Sequence, residues 1–117
     1  MTLEQLQEIF PDATANTWHQ HPNGGGWVKN TAKVAETAYV GEGALVYEDA
    51  KVYDNARVYG YAEVSGNARV YGYARVYGYA WVYEDAEVFG DARVFGDAKV
   101  SGNARVYGYA RVYGVEK

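Results

Sequence analysis

The chain has 117 residues, a formal net charge of −4 and 49% hydrophobic residues, which is the size of one domain. It contains no cysteine, which excludes a disulfide framework and a thiolate metal site and fits a reducing compartment. It has no run of about 18 apolar residues, its N-terminus MTLEQLQEIF lacks a basic stretch before an apolar one, and its net acidity disfavours a general polyanion binder.

The chain divides at residue 27, giving a cap over 1–27 and a repeat region over 28–117. Both prolines (Pro11, Pro22) and both histidines (His19, His21) fall in the first part. Thr2 is placed to cap a short helix, and Gln5, three residues on, completes a capping box. Leu3, Leu6, Ile9 and Phe10 form the apolar side expected of that helix, which ends at Pro11-Asp12. The stretch from Trp18 to Trp27 reads as a loop, with Gly24-Gly25-Gly26 as a tight turn into the first repeat. The triplet has no following Lys-Ser/Thr and no helix, so it is no phosphate loop. His19 and His21 form a His-x-His pair without a third ligand nearby and read as hydrogen-bonded loop residues.

From Val28 to Val112 every sixth residue is valine, fifteen in succession, and from Ala32 to Ala110 every sixth is alanine. The consensus is Val-Tyr-Gly-(Tyr/Asp/Asn)-Ala-(Arg/Lys/Glu). Each hexad reads as a short strand and a corner. In Ala68-Arg69-Val70-Tyr71, Ala68 and Val70 point inward while Arg69 and Tyr71 point outward. Gly72-Tyr73 is the corner, where unusual backbone angles favour glycine and its Asn or Asp neighbours. Residues 46–78 and 82–114 are identical at 26 of 33 positions, a second repeat with an offset of 36.

The uninterrupted six-residue period resembles that of the hexapeptide-repeat proteins. The resemblance covers residues 28–117 and implies an all-β fold: a left-handed parallel β-helix with three hexads per triangular coil, about five coils in all, behind a short helix-and-loop cap. It also implies face-to-face packing into a homo-oligomer, a dimer or trimer. More loosely, Trp18 and Asn23-Gly24-Gly25-Gly26-Trp27-Val28, followed by Ala-x-Val-Tyr-Gly-Asp/Asn-Ala units, resemble small hypothetical proteins of phages and bacterial mobile elements.

With three hexads per coil, residues 18 apart lie above one another. Outward positions then form columns on three faces. The first carries Trp27, Leu45, Glu63, Trp81 and Lys99 beside Lys29, Tyr47, Ser65, Tyr83 and Ser101. The second carries Lys33, Lys51, Arg69, Glu87 and Arg105 beside Ala35, Tyr53, Tyr71, Phe89 and Tyr107. The third carries Tyr39, Arg57, Arg75, Arg93 and Arg111 beside Gly41, Tyr59, Tyr77, Phe95 and Tyr113. Much of the acid falls on corners, at Glu48-Asp49, Glu84-Asp85, Asp54, Asp91 and Asp97. The third face is the candidate binding site: four arginines in one column repel one another and lie beside aromatic rings able to stack with guanidinium groups. The bland alternatives are that these arginines lie over neighbouring tyrosines or reach acidic corners, and that the Tyr and Phe columns simply ladder on themselves, as such residues do in parallel sheets.

Many hexapeptide-repeat proteins are acyltransferases or carbonic anhydrases, which the resemblance ties to an interface histidine or to three zinc-binding histidines. No hexad here contains histidine, and the chain has only two. The expectation is therefore a non-enzymatic binding or scaffold protein with no catalytic residue, metal or cofactor. Its binding residues are Arg57, Arg75, Arg93, Arg111, Tyr59, Tyr77, Phe95 and Tyr113. The expected partners are a second copy and an unidentified protein; nucleic acid or nucleotide is less favoured, and a membrane is not expected. The expected location is the cytoplasm, that of the host if the chain is phage-encoded, where it would inhibit a defence complex. The alternatives are a degenerate acyltransferase using His19 or His21, and an oligomeric nucleotide sponge. After Val112 no capping helix follows, so an open last coil and end-to-end dimerisation are also expected.

Overall fold

The computed structural model describes residues 1–114. Val115, Glu116 and Lys117, which belong to the expected open last coil, lie outside the described residues.

The repeat region is a parallel β-solenoid of about five coils, each hexad supplying one short strand to one of three sheets. The register between coils is 18 residues throughout. On the first face Val28 pairs with Val46, Val46 with Val64, Val64 with Val82 and Val82 with Val100. The second and third faces keep the same step, as in Val52 with Val70 and Val58 with Val76. The backbone ladder also runs through the corners. Lys51 N–H donates to Ala68 O at 3.0 Å, Tyr53 N–H to Val70 O at 3.0 Å, and the corner Asn55 N–H to Gly72 O at 2.9 Å. A corner that stacks on the next corner thus leaves few buried peptide groups without partners.

Inside the triangle the valines from Val40 to Val94 and the alanines from Ala38 to Ala92 are fully buried. They form one continuous apolar column that each coil extends. Burying each valine contributes about 1.5–3 kcal/mol before conformational entropy is subtracted. Ala104 and Ala110, in the last described coil, are exposed.

The cap starts with helix α1 (Leu3–Ile9). Its capping box forms: Gln5 N–H donates to Thr2 Oγ1 at 3.1 Å, and Thr2 N–H donates to Gln5 Oε1 at 2.8 Å. Leu6 is fully buried, but Ile9 is 50% exposed, so the apolar side of so short a helix is narrower than the sequence pattern implies. The region read as a loop contains strand β1 (Trp18–Gln20), which pairs antiparallel with β2 (Trp27–Lys29), the first strand of the solenoid. The glycine turn closes this hairpin. Gly24 and Gly25 have φ of 118° and 81°, and an added Cβ at Gly24 would strike the carbonyl of Val40.

The cap also corrects the surface map. Trp27 and Leu45 belong to the outward column of the first face, yet they are 7% and 2% exposed. They form a second apolar cluster with Leu6, Ala13 and Trp18 beneath α1 and β1. Trp27 Nε1–H finds its acceptor in Met1 O at 2.8 Å.

Corner positions separate two costs that one column lets us measure. Gly66 and Gly102 share the left-handed backbone, with φ of 65° and 64°. An added Cβ at Gly66 would lie 2.8 Å from Glu84 N, whereas at Gly102 it would meet nothing within 4 Å. Gly102→Ala should therefore lose only the left-handed penalty of about 1–2 kcal/mol, and Gly66→Ala should lose clearly more. Urea unfolding of the two variants provides the comparison; equal losses would show that the stacked corner yields freely.

Candidate functional site: the arginine and aromatic face

The third face is built on strands centred on Val40, Val58, Val76, Val94 and Val112. Each inward valine fixes its two neighbours outward. The pairings Arg57↔Arg75, Arg75↔Arg93 and Arg93↔Arg111 place the four arginines in one column. Arg57 and Arg111 are exposed, while Arg75 and Arg93 are partly buried by their neighbours. The sequence-predicted residues are thus brought together on one surface.

The aromatic column beside them is a ladder of parallel rings. Tyr59 and Tyr77 stack at 4.9 Å, Tyr77 and Phe95 at 5.2 Å, and Phe95 and Tyr113 at 5.5 Å between centroids. The second face carries a matching ladder of Tyr53, Tyr71, Phe89 and Tyr107 at 4.8, 5.0 and 5.4 Å. Of the two arrangements open to these columns, rings laddered on one another or rings facing guanidinium groups, the structure has the first. Strand spacing in a parallel ladder is about 4.8 Å, close to the preferred offset stacking distance, so the rings take up one another's faces. Among the described residues the single cation set over a ring is Lys99, at 5.1 Å from Trp81 on the first face.

The arginines do not find acids either. Among the described residues the single ion pair within 4.0 Å joins the Met1 amino group to Glu42 Oε2, at 3.3 Å. Part of the reason lies in the corners. Glu48, Asp54 and Glu84 occupy the glycine position of the repeat with φ of 59°, 58° and 58°. Each turns its carboxylate up to the next coil. Gly66 N–H donates to Glu48 Oε1 at 2.7 Å, Gly102 N–H to Glu84 Oε1 at 2.7 Å, and Gly72 N–H to Asp54 Oδ2 at 3.2 Å. Glu48, Asp49, Glu84 and Asp85 sit between the first and second faces, at the vertex opposite the arginines. These corner bonds were legible only in part: the sequence locates the acids, but not their backbone partners.

The histidines are committed elsewhere. His21 is 3% exposed with Nε2 at 2.8 Å from Ala38 O, and His19 Nδ1 lies 2.6 Å from Asn30 Oδ1. Among the described residues no group of three or more His, Cys, Asp or Glu is placed to hold a metal ion. None of the described helices is long and apolar enough to cross a membrane.

A feature the sequence reading missed is a groove of about 770 Å³ where α1 meets the start of the third face. Tyr39, Tyr59, Tyr61, Glu8 and Glu42 line it. Its sequence signal is the pair Gly41 and Gly43, which lie one coil below Tyr59 and Tyr61 and leave the foot of both columns without a side chain.

The stacked coils, the in-register ladders and the terminal helix define a repeat β-helix protein of the β-solenoid class. Residues 50–66, 62–78, 68–84 and 98–114 match the YdcK beta-solenoid repeat. No curated protein and no solved structure matches the chain.

Two predictions follow from the charges and the rings. The arginine column is self-repelling, so Arg93→Glu should raise stability by about 0.5 kcal/mol, read as a higher urea midpoint at low salt. A lower midpoint would mean that Arg93 is already compensated. Separately, the Tyr47 phenol is pushed well above the usual tyrosine value of 10.0, first by burial and then by its hydrogen bond to Glu63. That bond has a length of 2.8 Å. The folded state therefore holds this proton more tightly than the unfolded one. The contribution to stability is complete below about pH 10 and falls as the pH rises past it. Tyr47→Phe should flatten the alkaline decline between about pH 9.5 and pH 11, and an unchanged decline would place its origin elsewhere.

Proposed function

We propose that this chain is a non-enzymatic binding or scaffold protein that holds an acidic face of a protein partner along its arginine column. The observation that carries this reading is the set of four stacked arginines, none within 4.0 Å of a carboxylate among the described residues. Like charges in one column destabilise the fold, and an acidic partner would relieve that cost on binding. The adjacent ladder supplies a stiff surface of ring edges and hydroxyl groups. Because its ring faces are already stacked, it is poorly suited to nucleobase stacking, which favours a protein over single-stranded nucleic acid.

The same reading includes a cytoplasmic homo-oligomer, dimer or trimer, since exposed aromatic area of this extent suits self-association. The looser resemblance to phage and mobile-element proteins supports a host setting, with a bacterial defence complex as the target. The acyltransferase alternative is weakened because His19 and His21 both make hydrogen bonds within the cap.

Immobilised protein should capture a specific protein from a bacterial lysate, and the Arg75→Glu/Arg93→Glu variant should lose it. The variant's melting temperature should equal or exceed that of the parent chain. Capture retained by this folded variant would overturn the assignment of the arginine face.

A further inference from the structure

We infer that the groove between α1 and the start of the third face is a binding site for an arginine side chain presented by an extended segment of a partner protein. The groove, about 770 Å³, is lined by Tyr39, Tyr59 and Tyr61 together with Gln5, Glu8 and Glu42, and by no lysine or arginine. Higher on the same face the rings are parallel and stacked. Here they are not: Tyr39 and Tyr59 meet at 71° with centroids 6.5 Å apart. Tyr59 stacks on Tyr77 above it, and Tyr61 stacks on Tyr79 at 5.4 Å, so two aromatic columns end at this groove.

Glycine keeps the ends open. An added Cβ at Gly41 would lie 3.0 Å from Tyr59 Cβ, and one at Gly43 would lie 2.7 Å from the Gly60 carbonyl oxygen and 3.1 Å from Tyr61 Cδ1. Any longer side chain at either position would fill the groove. Two inclined aromatic rings with carboxylates at the rim suit a cation, and a guanidinium best of all. It is planar, weakly hydrated, able to lie on a ring and able to bond a carboxylate through two N–H groups. The groove already seats one cationic group, the Met1 ammonium on Glu42 at 3.3 Å. Glu8 and the three rings remain for the incoming side chain. This inference does not rest on the four arginines, which have the opposite charge, although the groove shares Tyr59 with the proposed binding face.

The test is a titration of the full chain with a blocked glycine-rich pentapeptide holding one central arginine, followed by NMR of assigned tyrosine ring signals. The neutral isostere, with citrulline in place of arginine, is the control. Saturable shifts of Tyr39, Tyr59 and Tyr61 are expected with the arginine peptide. Binding should be at least about tenfold weaker with citrulline and in the Glu8→Gln/Glu42→Gln variant, whose substitutions are on exposed residues. Arg93→Glu should leave the shifts unchanged. Equal titration by the two peptides, undiminished binding in the double glutamine variant, or equally tight binding of a lysine peptide would overturn the inference. The Arg93→Glu control separates this outcome from the fate of the arginine face.

Discussion

Every part of this molecule answers to one constraint, the 18-residue step of its backbone ladder. The peptide bonds of one coil pair with those of the next on all three faces and through the corners. No side chain can therefore avoid the one a coil above it. Apolar residues benefit, since valine on valine and alanine on alanine build one continuous buried column. Aromatic residues benefit too, because the strand spacing matches their stacking distance. Charged residues do not, and the chain handles its charges differently on each face. The second face breaks its cationic column with Glu87, which also accepts a bond from Tyr71 at 3.2 Å. The third face leaves Arg57, Arg75, Arg93 and Arg111 unbroken.

The corner acids explain how a chain of net charge −4 can present a cationic face. At Glu48, Asp54 and Glu84 a left-handed backbone is held without glycine, and each carboxylate bonds the glycine N–H of the coil above. The cost of a Cβ at positive φ, of order 1 kcal/mol, is offset by a charge-assisted bond of similar or greater worth. In the column Glu48, Gly66, Glu84, Gly102 acid and glycine alternate, so each carboxylate finds a donor above it. Two of these, Glu48 and Glu84, sit with Asp49 and Asp85 at the vertex opposite the arginines, whereas Asp54 lies at a vertex beside them. The net charge of the chain is therefore a poor guide to its surface, and the expectation drawn from it about anionic partners applies to the average and not to the third face.

The sequence made the solenoid legible because a strict period of six has few other physical solutions, and the 18-residue columns place all eight candidate residues on one surface. It made the capping box legible because Thr2 and Gln5 act locally. It failed where a non-repeating segment decides the outcome. Trp27 and Leu45 obey the outward phase of the repeat, but tertiary packing by α1 turns them into core. Trp18-His19-Gln20 is too short to show a period, and becomes a strand only because β2 offers it an edge. Ring stacking was legible only as one of two options: a column of tyrosines allows laddering on one another or stacking on guanidinium groups, and only the distances between rings decide which.

The third face consequently has a polarity that no single coil contains. Its upper coils are cationic and closed, with ring faces consumed by stacking. Its first coil is acidic and open, because Gly41 and Gly43 leave the foot of two columns without a side chain where α1 approaches. In the reading proposed for this protein, an acidic stretch of a partner would be drawn to one end and a basic side chain to the other. Opposite charges at fixed separation on a rigid rod favour one direction of approach and penalise the reverse, since inversion would set like charges together. A duplication of coil pairs reproduces columns but not their ends. The direction-setting element therefore lies where the repeat meets the cap, the part of the chain that the six-residue period does not describe.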